Sequence, residues 1–275
     1  MSFQHSEYAD DPARVEIRDA ATVMIVREAD DGPEVLMVQR GARLAFGARA
    51  WVFPGGRVDV SDRVDLDRIG VGLSDIDASA RLGVPEHGLS WWLAACRESL
   101  EEAGLLLAAE DSAVVDAAPL RRRVEADPES FVPALIEAGI RLRFDALHDV
   151  ARFITPLGPP RRFDTRFFLT DAPTGQEALH DDGEMVDSCW IRPGDAIDRW
   201  RRGDYPLMSV THRMLACLDR FDSVGDMMAL AAARPEERRV RVNDPDGEYL
   251  VLLPGEPGYE DAEVEVEHGW VRLWR

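Results

Sequence analysis

The amino-acid sequence predicts an α+β fold, one domain carrying insertions. Three observations support this: β-branched apolar runs separated by a turn signal near the start, one sharply delimited amphipathic helix at residues 90–103, and alternating strand and helix signals beyond residue 150 with no internal repeat. With 275 residues, 45% of them hydrophobic, the chain can bury a substantial core.

Ala21 to Val26 and Glu34 to Gln39 read as strands, and Asp30-Asp31-Gly32-Pro33 between them reads as the turn of a hairpin. Trp51-Val52-Phe53 is a short strand running into Pro54-Gly55-Gly56, a loop whose glycines permit close approach of another group. Residues 63–89 are acidic and weakly periodic, which predicts an excursion on the surface. Ser90 to Ala103 is the clearest helix, with Ser90 expected as its cap and Gly104 as its terminator. Two more helices are expected within 112–140, with Pro128 in a first turn. Strands follow at Ala151 to Thr155, Arg166 to Thr170 and Val186 to Ile191, then helices at Ser209 to Phe221 and near Val224 to Arg234. The tail from Val240 predicts a hairpin turning at Asn243 to Gly247.

Composition narrows the function. The formal charge is −20, so a polyanionic nucleic acid is not an expected partner, and an anionic substrate needs a metal ion or local arginines. Every basic residue is arginine, which excludes lysine Schiff-base chemistry and lysine phosphate loops. Cys96, Cys189 and Cys217 are widely spaced and flanked by apolar residues, the pattern of buried thiols in a reducing compartment. Apolar runs such as Ala21 to Val26 fall far short of the roughly 20 residues of a membrane span, and residues 1–19 lack the pattern of a secretory signal. A cytoplasmic location with no membrane partner is the expectation.

The chemistry points to the helix. With Glu98 at zero degrees, Glu101 and Glu102 fall at about −60° and +40°, so three carboxylates share one face. Leu89, Leu93, Cys96, Leu100 and Ala103 form the opposite, core-facing side. Arg97 stands four residues before Glu101 and can brace it, as an exposed pair that orients more than it stabilises. Taken alone, such an acidic face reads first as solvated surface, and its context reverses that reading. As a metal site, its oxygen-only ligands suit Mg²⁺ or Mn²⁺.

Phe53-Pro54-Gly55-Gly56 followed by Arg97-Glu98-Ser99-Leu100-Glu101-Glu102-Ala103-Gly104-Leu105 resembles the Nudix box, a glycine loop followed by the helix REUxEExGU in which U is aliphatic. Two departures stand out: about 27 extra residues, near 63–89, lie between loop and helix, and Ser99 occupies an aliphatic position. The insertion leaves open whether Asp59 or Asp62 replaces the first glutamate of the box. The resemblance implies an α/β/α sandwich with a mixed sheet over residues 15–222, with 223–275 as a C-terminal extension packed on the same domain. It also implies metal-dependent hydrolysis of a nucleoside diphosphate derivative, with Glu98, Glu101 and Glu102 as metal ligands and with Arg97, Gly55 and Gly56 in the site. Glu184, after Asp181-Asp182-Gly183, is placed to add another carboxylate, with an acidic surface loop as the equal alternative. His180 is the one histidine near enough in sequence to assist proton transfer.

Arg161-Arg162-Phe163-Asp164-Thr165-Arg166-Phe167-Phe168 joins three guanidinium groups to aromatic rings, a composition suited to phosphate and base but also to a buried strand. With Trp51 to Gly56 and Asp187 to Ile191, this run resembles the acyl-CoA diphosphatase branch, the nineteenth of the mammalian set. That branch implies CoA or acyl-CoA as the small-molecule substrate, with Arg161, Arg162 and Arg166 binding it. ADP-ribose, dinucleotide or nucleotide-sugar hydrolysis, and a non-catalytic nucleotide-sensing module, are the alternatives. A monomer and a homodimer are both compatible with these readings.

Overall fold

The computed structural model describes residues 11–42, 47–64, 66, 68–110, 116–155, 157, 159–180, 183–243, 250–262 and 264–274. The fold opens with β1 (Ile17–Arg27) and β2 (Glu34–Arg40), an antiparallel hairpin, followed by the short β3 (Trp51–Val52) and β4 (Gly55–Arg57). Next come β5 (Gly70–Val71), α1 (Asp75–Leu82), α2 (Leu89–Ala103), α3 (Ala117–Ala126) and α4 (Phe131–Ala138). Then follow β6 (Leu142–Arg143), β7 (His148–Ile154), β8 (Arg162–Asp171), β9 (Met185–Ile191), α5 (Pro193–Arg202), α6 (Ser209–Leu218) and α7 (Val224–Ala233). β10 (Arg238–Asn243), β11 (Leu250–Leu252) and β12 (Val264–Val271) end the chain's regular structure.

The main sheet has ten strands, in the order β11-β10-β12-β7-β8-β1-β2-β3, with β4 also pairing β1 and β9 also pairing β2. It is mixed because β1 and β8 run parallel, from Ile17 opposite Arg162 to Val26 opposite Asp171. Strand periodicity of two divides the core into two layers. Ala21, Val23 and Ile25 face a cluster with Trp92, Leu93, Leu100 and Leu135, whereas Met24 and Val26 face one with Ile197, Leu215 and Met227. Helices α1–α4 therefore cover one face and α5–α7 the other, giving an α/β/α sandwich in which both faces of β1 are dry. The C-terminal strands continue the same sheet through β12 against β7. Strands β10 and β11 pair antiparallel, and residues 244–247 of the expected turn lie outside the described residues.

Two expectations are corrected. Residues 63–89 do not form a surface excursion: Leu66, Ile69, Leu73, Ala78 and Leu82 are buried in the α2 layer. The acidic residues between them hid a pattern in which one side of a short helix is apolar. Nor does Ser90 cap α2, which begins at Leu89 after Gly88 and buries Ser90 in its first turn. The cap comes from the insertion, where the Asp75 carboxylate accepts from the main-chain N–H groups of His87 (3.0 Å) and Leu89 (2.9 Å) and Ser79 Oγ accepts from Gly88 (2.9 Å). These bonds satisfy donors that a helix start leaves orphaned. At the other end Gly104, at φ 70°, closes α2 by donating to Leu100, while Leu105 donates to Ser99.

Candidate active site

Strand β1 sets the site's geometry by pairing with β4, so that Ala21 lies opposite Gly56 and Thr22 opposite Gly55. A Cβ on Gly55 would stand 2.4 Å from the Ala21 carbonyl oxygen, and one on Gly56 would stand 2.5 Å from the Glu98 carboxyl carbon. Gly55, at φ 157°, is there because nothing larger fits against the main chain of β1, and Gly56 leaves its space to the Glu98 carboxylate. Their reward is contact with the helix face: the Gly55 N–H donates to Glu102 Oε2 at 2.9 Å.

Arg97 is the hub of the site. Its guanidinium is 3% exposed and donates to both Asp62 oxygens (3.1 and 3.0 Å), to Glu98 (2.8 Å), to Glu101 (3.0 Å) and to the Arg57 carbonyl (3.0 Å). The expectation of an exposed pair of small worth is thereby corrected, since this guanidinium is buried and its fork geometry is fully used. Asp62 is equally buried and also accepts from the Asp59 N–H at 2.8 Å, whereas Asp59 is half-exposed and 3.7 Å from Arg97. Of the two candidates for the missing box carboxylate, Asp62 is the one that anchors the arginine.

The three helix carboxylates share one side of α2, but they do not surround a single point. Glu98 and Glu101 turn towards Arg97, Glu102 turns towards Gly55, and among the described residues no three ligating groups are already gathered for a metal ion. Burial lifts the Glu98 carboxyl to about 7 against the pull of Arg97, with Glu101 adding to the rise. Burial raises Glu102 well above the usual carboxylate range, helped by Glu98 and opposed by the Gly55 N–H and Arg40. Glu101 rises by burial as well, opposed by Arg97. Acids crowded and desolvated in this way favour either protons or a cation beside them. Their hard oxygen donors are of the kind a divalent ion such as Mg²⁺ or Mn²⁺ takes.

Glu184 reaches the same end of the sheet. Its carbonyl accepts from Gly41 N–H at 2.8 Å just beyond β2, and its charge contributes to raising Glu102. Asp181 and Asp182 lie outside the described residues. His180 is partly buried on the same connection between β8 and β9.

The arginine run divides. Arg162 is buried and donates to the Thr155 carbonyl at 2.9 Å; Arg166 is buried and donates to the Leu82 carbonyl at 2.7 Å. Neither guanidinium is open to a ligand, which corrects the expectation that both bind substrate. Arg166 ties β8 to the end of α1, and a guanidinium committed to a main-chain carbonyl in the interior is a structural group. Arg161 is exposed. Sequence reasoning overlooked Arg40, whose charge acts on Glu102; its position at the end of β2, which pairs with the short strand running into the glycine loop, was the available signal.

Comparison with known proteins agrees with this geometry. A family model described as the NUDT19 Nudix domain matches residues 73–209, which include the carboxylate helix and Glu184. The chain is 28% identical to the acyl-coenzyme A diphosphatase NUDT19 of Gallus gallus, over 89% of this chain and 80% of the relative. It is 26% identical to the Homo sapiens protein of the same name, over 85% and 74% respectively. The crystal structure of a NUDIX hydrolase from Alicyclobacillus acidocaldarius superposes with a TM-score of 0.67 at 28% identity, covering 78% of this chain and 97% of that one. A glycine loop seated on a helix whose arginine gathers three acids, within a sandwich shared with that hydrolase, agrees with these similarities, which together support a Nudix hydrolase of the NUDT19 branch.

Proposed function

We propose that this chain hydrolyses the diphosphate of CoA or an acyl-CoA, releasing phosphopantetheine or its acylated form together with adenosine bisphosphate. The observation that carries the reading is the juxtaposition of Glu98, Glu101 and Glu102 around Arg97 and the glycine loop, in a chain similar over most of its length to acyl-CoA diphosphatases.

Glu98, Glu101 and Glu102 would hold the divalent cation, with Mg²⁺ or Mn²⁺ suited to an all-oxygen donor set. When bound, it neutralises the diphosphate and lowers the pKa of an attacking water. The protein's own groups do the positioning. Gly55 fixes one oxygen of Glu102 through its main-chain N–H. Arg97, held by Asp62, limits how far Glu98 and Glu101 can swing. Glu184 is the further carboxylate that would orient the water and accept its proton. Exposed Arg161 is the remaining member of the arginine run able to meet a phosphate from solution. A cytoplasmic setting fits the three free thiols, two of them buried.

The test is product analysis of CoA, an acyl-CoA, ADP-ribose, a dinucleotide and a nucleotide sugar, each with Mg²⁺ or Mn²⁺ and with excess chelator. The proposal expects metal-dependent cleavage of CoA or acyl-CoA in preference to the rest. Rapid cleavage of ADP-ribose or the dinucleotide with CoA and acyl-CoA untouched would overturn the substrate, and full activity in chelator would overturn the role of the carboxylates.

A further inference from the structure

The carbonyl end of the catalytic helix α2 is held by a side chain from a different helix. Arg121, partly buried on α3, donates from one guanidinium nitrogen to the Glu101 carbonyl oxygen (2.9 Å) and from another to the Leu179 carbonyl oxygen (2.7 Å). Its Nε donates to Glu125 Oε1 one turn along α3 at 2.8 Å, which fixes the fork's orientation. Gly104 makes room for it, since a Cβ there would lie 2.9 Å from an Arg121 nitrogen.

The segment after β8 is drawn to the same place by three more bonds. Gln176 grips both main-chain groups of Leu106, accepting from its N–H at 2.8 Å and donating to its carbonyl at 3.1 Å. The Leu179 N–H donates to the Ala103 carbonyl at 2.9 Å. The last carbonyls of a helix lack intrahelical partners, and here Arg121 and Leu179 satisfy those of Glu101 and Ala103. A guanidinium is also the favoured charge at that end of the helix dipole.

We infer that Arg121 is a positioning residue for hydrolysis: by spanning the Glu101 and Leu179 carbonyls, and with Gln176 as a second tie, it fixes residues 176–179, upstream of Glu184, against the turn of α2 that bears Glu101 and Glu102. None of its three hydrogen bonds goes to a carboxylate of the metal-binding set, so its effect on the reaction is carried through the main chain. The inference rests on the proposed role of Glu184 and adds what holds that residue's segment in register. Burial of a guanidinium on two main-chain oxygens from separate segments sets their spacing to within a hydrogen bond's tolerance, and small errors in spacing are amplified in catalysis.

The experiment is a double-mutant cycle with Arg121→Ala and Glu184→Gln, measuring kcat and KM on acyl-CoA, together with hydrogen exchange at Leu179 and Leu106. Arg121→Lys and Gln176→Ala accompany it, so that the test survives if Arg121→Ala folds poorly. The inference expects kcat to fall at least tenfold in Arg121→Ala with KM within about threefold, partial recovery in Arg121→Lys, a smaller loss in Gln176→Ala, and lost exchange protection at Leu179. It further expects Arg121→Ala to add little once Glu184→Gln is present. Unchanged kcat in Arg121→Ala, or losses that simply multiply in the double variant, would overturn it, as would a Glu184→Gln protein of full activity. If wild type cleaves another diphosphate instead, the substrate reading fails separately, and the same cycle on that substrate decides the role of Arg121. Protection at Leu179 that survives Arg121→Ala overturns the tie whatever the substrate.

Discussion

Replacing Asp62 should damage the protein far more than replacing Asp59, although the two stand three residues apart and carry the same charge. Asp62 and Arg97 are each almost wholly buried, at 2% and 3% side-chain exposure, and meet through two hydrogen bonds. Removing one member of such a buried pair strands the other, at about 3–5 kcal/mol. The remaining bonds to Glu98, Glu101 and the Arg57 carbonyl place Asp62→Ala near the lower end of that range. Asp59 is 43% exposed and 3.7 Å from Arg97, a geometry worth roughly 0–1 kcal/mol. Urea unfolding of both variants should therefore separate their stabilities by at least about 2 kcal/mol. In a thermal scan, Asp62→Ala should melt roughly 6–12 °C below wild type. Activity should follow, because a loosened Arg97 no longer restrains Glu98 and Glu101: kcat falls at least tenfold in Asp62→Ala and stays within about twofold in Asp59→Ala. Equal destabilisation by the two, or the larger loss at Asp59, would refute the assignment of Asp62 as the anchor.

Three further predictions rest on single contacts. Gly56→Ala puts a methyl group 2.5 Å from the Glu98 carboxyl carbon, so kcat should drop at least tenfold, while Gly225→Ala, which meets nothing closer than 3.9 Å, should leave it unchanged. Asp75→Ala removes the cap of α2 and should cost about 0.5–2 kcal/mol in denaturant unfolding with kcat per folded molecule preserved; no loss of stability would refute the capping role. Asp149, buried in the sheet, is lifted from 3.8 to about 6 by desolvation, against the opposing pull of Arg166, Arg272 and Arg234. Because the folded value lies above the unfolded one, its contribution is fully present below about pH 4 and is lost as pH rises through 6. Wild type should lose roughly 2–3 kcal/mol relative to Asp149→Asn between pH 4 and 7, and parallel stability curves would refute this.

The parts legible in the sequence were those whose signal is local. The first hairpin, the glycine loop and the back of α2 each follow from periodicity and turn chemistry within a dozen residues, and the shared face of Glu98, Glu101 and Glu102 follows from helix geometry alone. The orientation of those carboxylates was not legible, because it depends on a buried Arg97 whose main partner, Asp62, lies across the insertion. The insertion itself misled for a related reason: its apolar residues are spaced among acids in sequence, and only the tertiary neighbour α2 makes Leu73, Ala78 and Leu82 interior. Helix α5 went unread despite Pro193 at its first turn and Gly203 at its end, since Arg192 to Arg202 carries more charge than apolar surface. Arginine chemistry was the least legible of all. Arg161, Arg162 and Arg166 look alike in sequence, yet two serve the interior and one faces solvent, a distinction set by the parallel pairing of β8 with β1.

The central claim, that the carboxylates of α2 drive metal-dependent cleavage of an acyl-CoA diphosphate, is tested most directly by single-turnover hydrolysis of one acyl-CoA with saturating Mg²⁺ by wild type, Glu101→Gln and Glu102→Gln. The account predicts acylated phosphopantetheine and adenosine bisphosphate from wild type, and rates lower by at least a hundredfold in both variants, with their thermal unfolding close to that of wild type. Equal rates in all three proteins, or no cleavage by wild type under these conditions, would contradict it.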